Sequence, residues 1–182
     1  YETPQLAEAI NYLNKAVRED LNFIDAWSLL AKSNCNLYER SLEFEDNSIN
    51  IKAKKEAETA LQKLNTIAQF SAAYYNAKGY YENIILKDPI KALQSLDKAI
   101  ELVPNDAPTI LYQGITYAYL GQIRKGIENI EKAYAIDNQN GLIRYILPTM
   151  YSNTGDFKKI INLYKEYLKQ DPEKTHLDVE IK

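Results

Sequence analysis

Histidine and cysteine are scarce in this sequence, and positive charge is not in excess. Its single histidine, His176, lies near the C-terminus, and its single cysteine, Cys35, has no histidine near it in sequence. A lone cysteine cannot form an internal disulfide, and no Cys/His spacing typical of a metal site occurs. These absences predict a non-catalytic protein that needs no metal and no other cofactor.

A basic face and long apolar runs are also missing. The net charge is -3, which argues against a sequence-independent grip on nucleic acid. No run approaches the roughly 18 apolar residues of a membrane-spanning helix. The chain begins at Tyr1 without a methionine, which predicts a fragment of a longer protein. The sequence therefore does not assign a compartment, with the cytoplasm slightly favoured.

Apolar residues recur at three- and four-residue steps, which is the period of an α-helix. Glycine and proline number six each, and most of them separate these periodic segments. The pattern predicts about nine helices, over 4–19, 24–38, 51–64, 68–86, 89–103, 107–120, 123–136, 142–153 and 157–169. Asp88 and Pro89 are typical of a helix start.

One polar and acidic segment, RSLEFEDNSIN, interrupts this helical pattern between the second and third helices. We expect it to be a loop, with Ser48 or Asn50 capping the helix that follows. Within it, EFEDNS resembles a calcium loop only superficially, because the glycine and the terminal glutamate of that pattern are missing.

A repeat appears when the chain is compared with itself 34 residues on. Tyr117 then falls on Tyr151, and Gly121 falls on Gly155. A fixed period of this length indicates a helical repeat array. Gly114 and Gly126 lie within predicted helices, where small residues allow two helices to approach closely. Gly121 follows a helix end, where glycine accepts a left-handed backbone without strain.

The pattern of small and large residues resembles that of the tetratricopeptide repeat (TPR), in which 34 residues form two antiparallel helices. The positions that match it are Trp27, Leu30, Ala31, Ala92, Leu96, Ala99, Pro104, Gly114, Tyr117, Gly121, Gly126, Ala133, Tyr151, Gly155, Tyr164 and Pro172. The resemblance implies an all-α fold, in which helical hairpins stack into a right-handed superhelix. The irregular spacing is similar to that of TPR arrays in bacterial regulators and signalling cyclases.

The resemblance implies a single domain over 1–182. Its parts are an incomplete repeat at about 1–22, repeats at about 24–65, 68–106, 107–140 and 141–174, and a tail at 175–182. The last repeat departs from the pattern, because Pro148, Ile160 and Tyr167 replace small residues. Pro148 predicts a kink, since proline lacks a backbone donor. The bulk of Ile160 and Tyr167 predicts a differently packed end.

In a TPR array the first helix of each repeat lines a concave face. On this chain that face is expected to be rich in tyrosine and amide side chains, which suit an extended or helical peptide. The candidate partner-binding residues are Lys32, Asn36, Tyr75, Asn76, Asn83, Tyr112, Tyr119, Tyr145 and Asn153. Because only Lys32 is basic among them, a clamp for a terminal carboxylate is not expected.

The sequence thus predicts a non-catalytic interaction module that holds a protein or peptide segment in this concave groove. Neither nucleic acid nor a membrane is expected as a partner. A second interpretation stays open, in which the array is a regulatory or self-association domain of a larger signalling protein or transcription regulator. A homo-dimer belongs to that interpretation.

Overall fold

The computed structural model describes residues 4–42 and 47–170. These residues contain nine helices: α1 Pro4–Glu19, α2 Ile24–Ser41, α3 Ser48–Ala68, α4 Ala72–Ile84, α5 Pro89–Leu102, α6 Ala107–Tyr119, α7 Ile123–Ile136, α8 Gly141–Asn153 and α9 Phe157–Gln170. No strand occurs in the described ranges, and the predicted all-α fold is confirmed. None of these helices has the length and apolar character needed to cross a lipid bilayer.

The helices pack as consecutive hairpins. α2 packs on α3, α4 on α5, α6 on α7, and α8 on α9, while α1 packs on α2. Contacts also join α2 to α4 and α4 to α6. The first helices of the hairpins therefore lie side by side, and their shared outer surface is called the concave face below.

The α6/α7 hairpin shows the close approach expected at the two glycines. A Cβ atom added to Gly114 would lie 2.8 Å from the carbonyl oxygen of Gly126, and one added to Gly126 would lie 2.8 Å from that of Gly114. Real Cβ atoms do not come so close to a backbone oxygen, so each position requires glycine. The predicted role of both residues is confirmed.

The predicted helix boundaries at Gly121 and Asp88 are confirmed too. Gly121 has a φ of 74°, and the N–H of Gln122 donates to the carbonyl of Tyr117 at 2.9 Å, which closes the end of α6. At the start of α5, the Asp88 carboxylate accepts a hydrogen bond from the Lys91 N–H at 3.0 Å.

The segment between α2 and α3 differs from the prediction. α2 extends to Ser41 and α3 begins at Ser48, so both helices run into the expected loop. Asn47 occupies the N-cap position, and Ser48 and Asn50 lie inside the helix because it begins earlier than predicted. Residues 43–46, which include most of the calcium-like motif, lie outside the described residues.

The boundary between α3 and α4 was also predicted wrongly. α3 continues to Ala68, and α4 begins only at Ala72. Ser71 caps α4, because its hydroxyl accepts a hydrogen bond from the Tyr74 N–H at 3.1 Å. The apolar spacing continues from one helix into the next, so periodicity alone did not mark this turn.

Candidate functional site

An apolar groove runs across the concave face. Its cavity has a volume of about 340 Å³. Four first helices and the start of α1 supply its lining, which consists of Leu6, Asn36, Glu39, Arg40, Tyr80, Ile84, Tyr112, Ile115, Tyr119, Leu142 and Ile146. Because these residues come from successive hairpins, the groove crosses the array and is open rather than a closed pocket. It is called the concave groove below.

Two stacked tyrosines form the floor of the concave groove. The rings of Tyr80 and Tyr112 lie 3.4 Å apart and are within 10° of parallel. Tyr112 is only 6% exposed, and Asn83 donates a hydrogen bond to its hydroxyl at 3.3 Å. Burial raises the pKa of both phenols well above the ordinary range. The floor is therefore neutral and held in place by α4 and α6.

The walls of the concave groove are mainly apolar and its rim is polar. Ile84, Ile115 and Ile146 flank the tyrosine floor, while Asn36 and Glu39 stand on α2 along one edge. Tyr119, which also lines the groove, is 63% exposed. Such a site buries apolar side chains of a ligand and leaves polar groups at the edge for its backbone.

The candidate residues predicted from sequence fall into two sets. Asn36, Tyr112 and Tyr119 line the concave groove, and Asn83 lines a smaller recess of about 140 Å³ that also includes Tyr119. Lys32 and Asn76 line a separate polar cavity near the N-terminal ends of α2, α4 and α6. The structure therefore brings six of the nine candidates to cavities on the concave face.

The other three candidates, Tyr75, Tyr145 and Asn153, are not among the residues that line these cavities. Tyr75 lies beside α5, with the Lys98 ammonium 5.3 Å from the centre of its ring. Tyr145 is 72% exposed on α8, and Asn153 is the last residue of that helix.

The rotation of α4 explains the position of Tyr75. A Cβ added to Gly79 would lie 2.8 Å from the Cγ of Leu96, so this side of α4 faces α5 rather than the concave face. Tyr75 lies one turn earlier on that side. Tyr80 therefore supplies the aromatic ring of the concave groove, and sequence reasoning missed it. The small residue at Gly79, matching Gly114 one repeat later, was the signal.

Cys35 is buried beneath the concave groove and is unsuited to nucleophilic chemistry. It is completely inaccessible to solvent. Burial, assisted by the charge of Glu39, raises the pKa of its thiol to about 12. Because the thiolate is the reactive form of cysteine, this thiol is inert at neutral pH. Within residues 4–42 and 47–170, no group of three or more histidine, cysteine or carboxylate side chains could hold a metal.

Comparison with known structures identifies the fold. The TPR protein TTC0263 of Thermus thermophilus matches 93% of this chain and 84% of its own, with 20% identity and a TM-score of 0.69. YrrB, described as a TPR protein with an unusual peptide-binding site, matches 93% of this chain and 80% of its own, with 17% identity and a TM-score of 0.54. The chain is a protein of the tetratricopeptide repeat fold.

Sequence comparison agrees with this assignment over part of the chain. The rat mitochondrial import receptor subunit TOM70 is 31% identical over 91 residues, and human tetratricopeptide repeat protein 7A is 25% identical over 87 residues. Each alignment covers 48% of this TPR chain, but only 15% of TOM70 and 10% of the human protein. No protein-family model matches the chain.

Proposed function

We propose that this TPR chain is a non-catalytic protein–protein interaction module, which holds a segment of its partner in the concave groove. The observation that carries the proposal is the open apolar groove over the Tyr80–Tyr112 stack, supplied by successive helices. The fold supports the same role, because stacked helical hairpins create extended binding surfaces. YrrB, which shares the fold, is itself described as having a peptide-binding site.

The chemistry of the concave groove favours a partner segment with at least one large apolar side chain. The Tyr80–Tyr112 floor is neutral, and Ile84 and Ile115 beside it offer no hydrogen bonds. An aliphatic or aromatic side chain laid on that floor would be removed from water, which contributes about 25 cal/mol for each Å² of apolar surface buried. Asn36 at the rim provides amide groups for the backbone of the segment.

The experiment is a selection of random 12-residue peptides displayed on phage against the immobilised chain. Peptides enriched by the unaltered protein are synthesised with a fluorescent label, and their affinity is measured by fluorescence anisotropy. The proposal expects recurrent sequences with a large apolar residue. Tyr119→Ala, which removes an exposed groove wall, should weaken their binding by about tenfold, as is usual for an aromatic residue important at an interface.

Tyr145→Ala is the matched control. Like Tyr119→Ala, it removes an exposed tyrosine ring, but from α8 and at a position that does not line the concave groove. Its affinity should stay within about twofold of the unaltered protein. Equal losses in both variants, with unchanged helicity, would show that the concave groove is not the binding surface. A selection that enriches no sequence would defeat the proposal and leave the regulatory or self-association interpretation.

A further inference from the structure

A second, polar cavity lies on the concave face. Its volume is about 220 Å³. It is distinguished from the concave groove by the polar residues in its lining, Asp25, Ser28, Lys32, Asn76, Asp106 and Thr109, which Ala72, Ala73 and Val103 complete. It is called the acidic pocket below. Lys32 lies between the two cavities, because its ammonium stands 5.6 Å from the centre of the Tyr80 ring in the groove floor.

Asn76 leaves a buried hydrogen-bond acceptor unused in the acidic pocket. The residue is only 5% exposed. Its Nδ2 donates to the Thr109 hydroxyl at 2.6 Å, and that hydroxyl donates in turn to Asp106. Because the donors point towards Asp106, the Oδ1 of Asn76 remains an acceptor, and no described residue donates to it. A buried polar atom without a partner is rare in folded proteins, so this oxygen can accept a hydrogen bond from a donor that the described residues do not supply.

The charges of the acidic pocket do not balance. Asp25 and Asp106 supply two carboxylates, and Lys32 supplies one ammonium. Asp106 caps α6 and Asp25 lies in the first turn of α2, where the helix dipole stabilises a negative charge. Lys32 forms no ion pair within 4.0 Å among the described residues. Burial lowers its pKa, while the charges of Asp106 and Asp25 act in the opposite direction.

We propose that the acidic pocket receives a basic side chain, lysine or arginine, from the partner segment that lies in the concave groove. This inference rests on the proposed function. A guanidinium or ammonium group supplies only donors, and the acceptors of the residues that line this pocket are the Asp25 and Asp106 carboxylates and the unpartnered amide oxygen of Asn76. Its positive charge would also offset the excess negative charge of the pocket.

The geometry of α4 sets the spacing of the two recognised side chains. Asn76 lines the acidic pocket, whereas Tyr80 and Ile84 line the concave groove. With a rise of about 1.5 Å per helical residue, Tyr80 and Ile84 lie about 6 and 12 Å beyond Asn76. An extended segment covers about 3.3 Å per residue. The basic residue should therefore stand about two to four residues from the apolar anchor.

The test uses the phage-selected 12-residue peptides and two variants with opposite expected effects. Asp25→Asn removes a negative charge from a residue that makes no side-chain hydrogen bond among the described residues. It should weaken binding of peptides with the basic residue by about two- to fivefold. Lys32→Met removes the opposing cation and should strengthen their binding by a similar factor. Both effects should shrink at high salt.

Controls separate the local charge from the net charge of the protein. Glu101→Gln on α5 and Lys54→Met on α3 change the same charges at exposed positions outside both cavities and should alter affinity by less than about 1.5-fold. Norleucine in place of the basic residue of the peptide should remove the response to both pocket variants. The peptide would then carry no charge at that position for Asp25 to attract or Lys32 to repel.

The outcomes distinguish this inference from the proposed function. Selected peptides with an apolar anchor but no basic residue at the expected spacing would overturn the proposed role of the acidic pocket. They would leave the proposed function of the concave groove intact. Binding that Lys32→Met abolishes and Asp25→Asn strengthens would show that the pocket takes an acidic group, which also overturns the inference. A selection that enriches nothing overturns both proposals.

Discussion

The hairpins α6/α7 and α8/α9 occupy equivalent places in the repeat pattern, yet they are held together differently. α6 and α7 approach closely along their length, whereas α8 and α9 do so at few positions. Gly114 and Gly126 bring the first pair into backbone contact. One period later, the corresponding residues are Pro148 and Ile160. A change from small to bulky residues thus accompanies the wider separation of the second pair.

Aromatic side chains occupy the contact between α8 and α9. Tyr167 is only 2% exposed. The guanidinium of Arg144 on α8 lies 4.1 Å from the centre of its ring, and Tyr164 meets it edge-to-face at 5.8 Å. The same type of hairpin can thus be closed by backbone contact through small residues or by buried rings, which require more space between the helix axes.

The largest expected loss of stability comes from placing in the α6/α7 hairpin a bulky residue that the α8/α9 hairpin has at the equivalent position. Gly126→Ile introduces at α7 the residue that α9 has at position 160. Because its Cβ would meet the carbonyl oxygen of Gly114 at 2.8 Å, the helices must separate. We expect the free energy of unfolding to fall by about 3 kcal/mol. Urea denaturation followed by circular dichroism measures this change.

The control for Gly126→Ile is Ile160→Gly, which makes the reverse exchange in α9. No backbone contact depends on a small residue there, so this variant should lose only the packing and helix propensity of isoleucine, about 1–2 kcal/mol. A loss of under about 1 kcal/mol for Gly126→Ile would show that the glycine contact does not set the geometry of the central hairpin.

A smaller effect is expected from removing the aromatic contact of the second hairpin. Tyr167→Ala deletes a buried ring, which would cost about 3–5 kcal/mol in a central core. In a stacked array, however, a peripheral helix detaches without unfolding the rest, which limits the loss of stability to about 2 kcal/mol. Hydrogen exchange should show faster exchange in α9 and unchanged exchange in α4 and α6. Uniformly faster exchange would contradict independent detachment.

The sequence predicted the α6/α7 hairpin better than the concave face. The spacing of Gly114, Gly121 and Gly126 depends on local backbone geometry, and the structure places all three as expected. Which side of α4 faces the groove depends on its packing against α5. Tyr75 and Tyr80 are both plausible aromatic residues for a groove, and the contact between Gly79 and Leu96 distinguishes them.

The boundaries that were missed have a similar physical cause. α3 and α4 are separated by a serine cap at Ser71 rather than by glycine or proline, so the apolar period offered no clear break. The acidic pocket was missed because its two carboxylates belong to different helices: Asp25 lies in the first turn of α2, and Asp106 caps α6. Their proximity depends on the alignment of hairpins, which residue spacing within a single helix does not report.

The smallest expected effect concerns pH, and it also separates the two hairpins. Glu131 on α7 accepts hydrogen bonds from the Tyr151 hydroxyl at 2.7 Å and the Lys159 ammonium at 2.9 Å, and so connects α7 to α8 and α9. Partial burial raises the pKa of Glu131, but these two hydrogen bonds and the charge of Lys159 outweigh it, so its pKa lies below the ordinary 4.5.

Because the folded pKa of Glu131 is lowered, its contribution to stability is present above pH 4.5 and is lost as the pH falls through the folded value. Since the carboxylate is partly exposed, the loss should be below about 1 kcal/mol. As the pH falls from about 6 to about 3, hydrogen exchange in α9 should therefore become faster relative to exchange in α6. Glu131→Gln should exchange faster at the upper end of that range and show a smaller change with pH. An equal change in the variant would mean that carboxylates other than Glu131 control the acid response of α9.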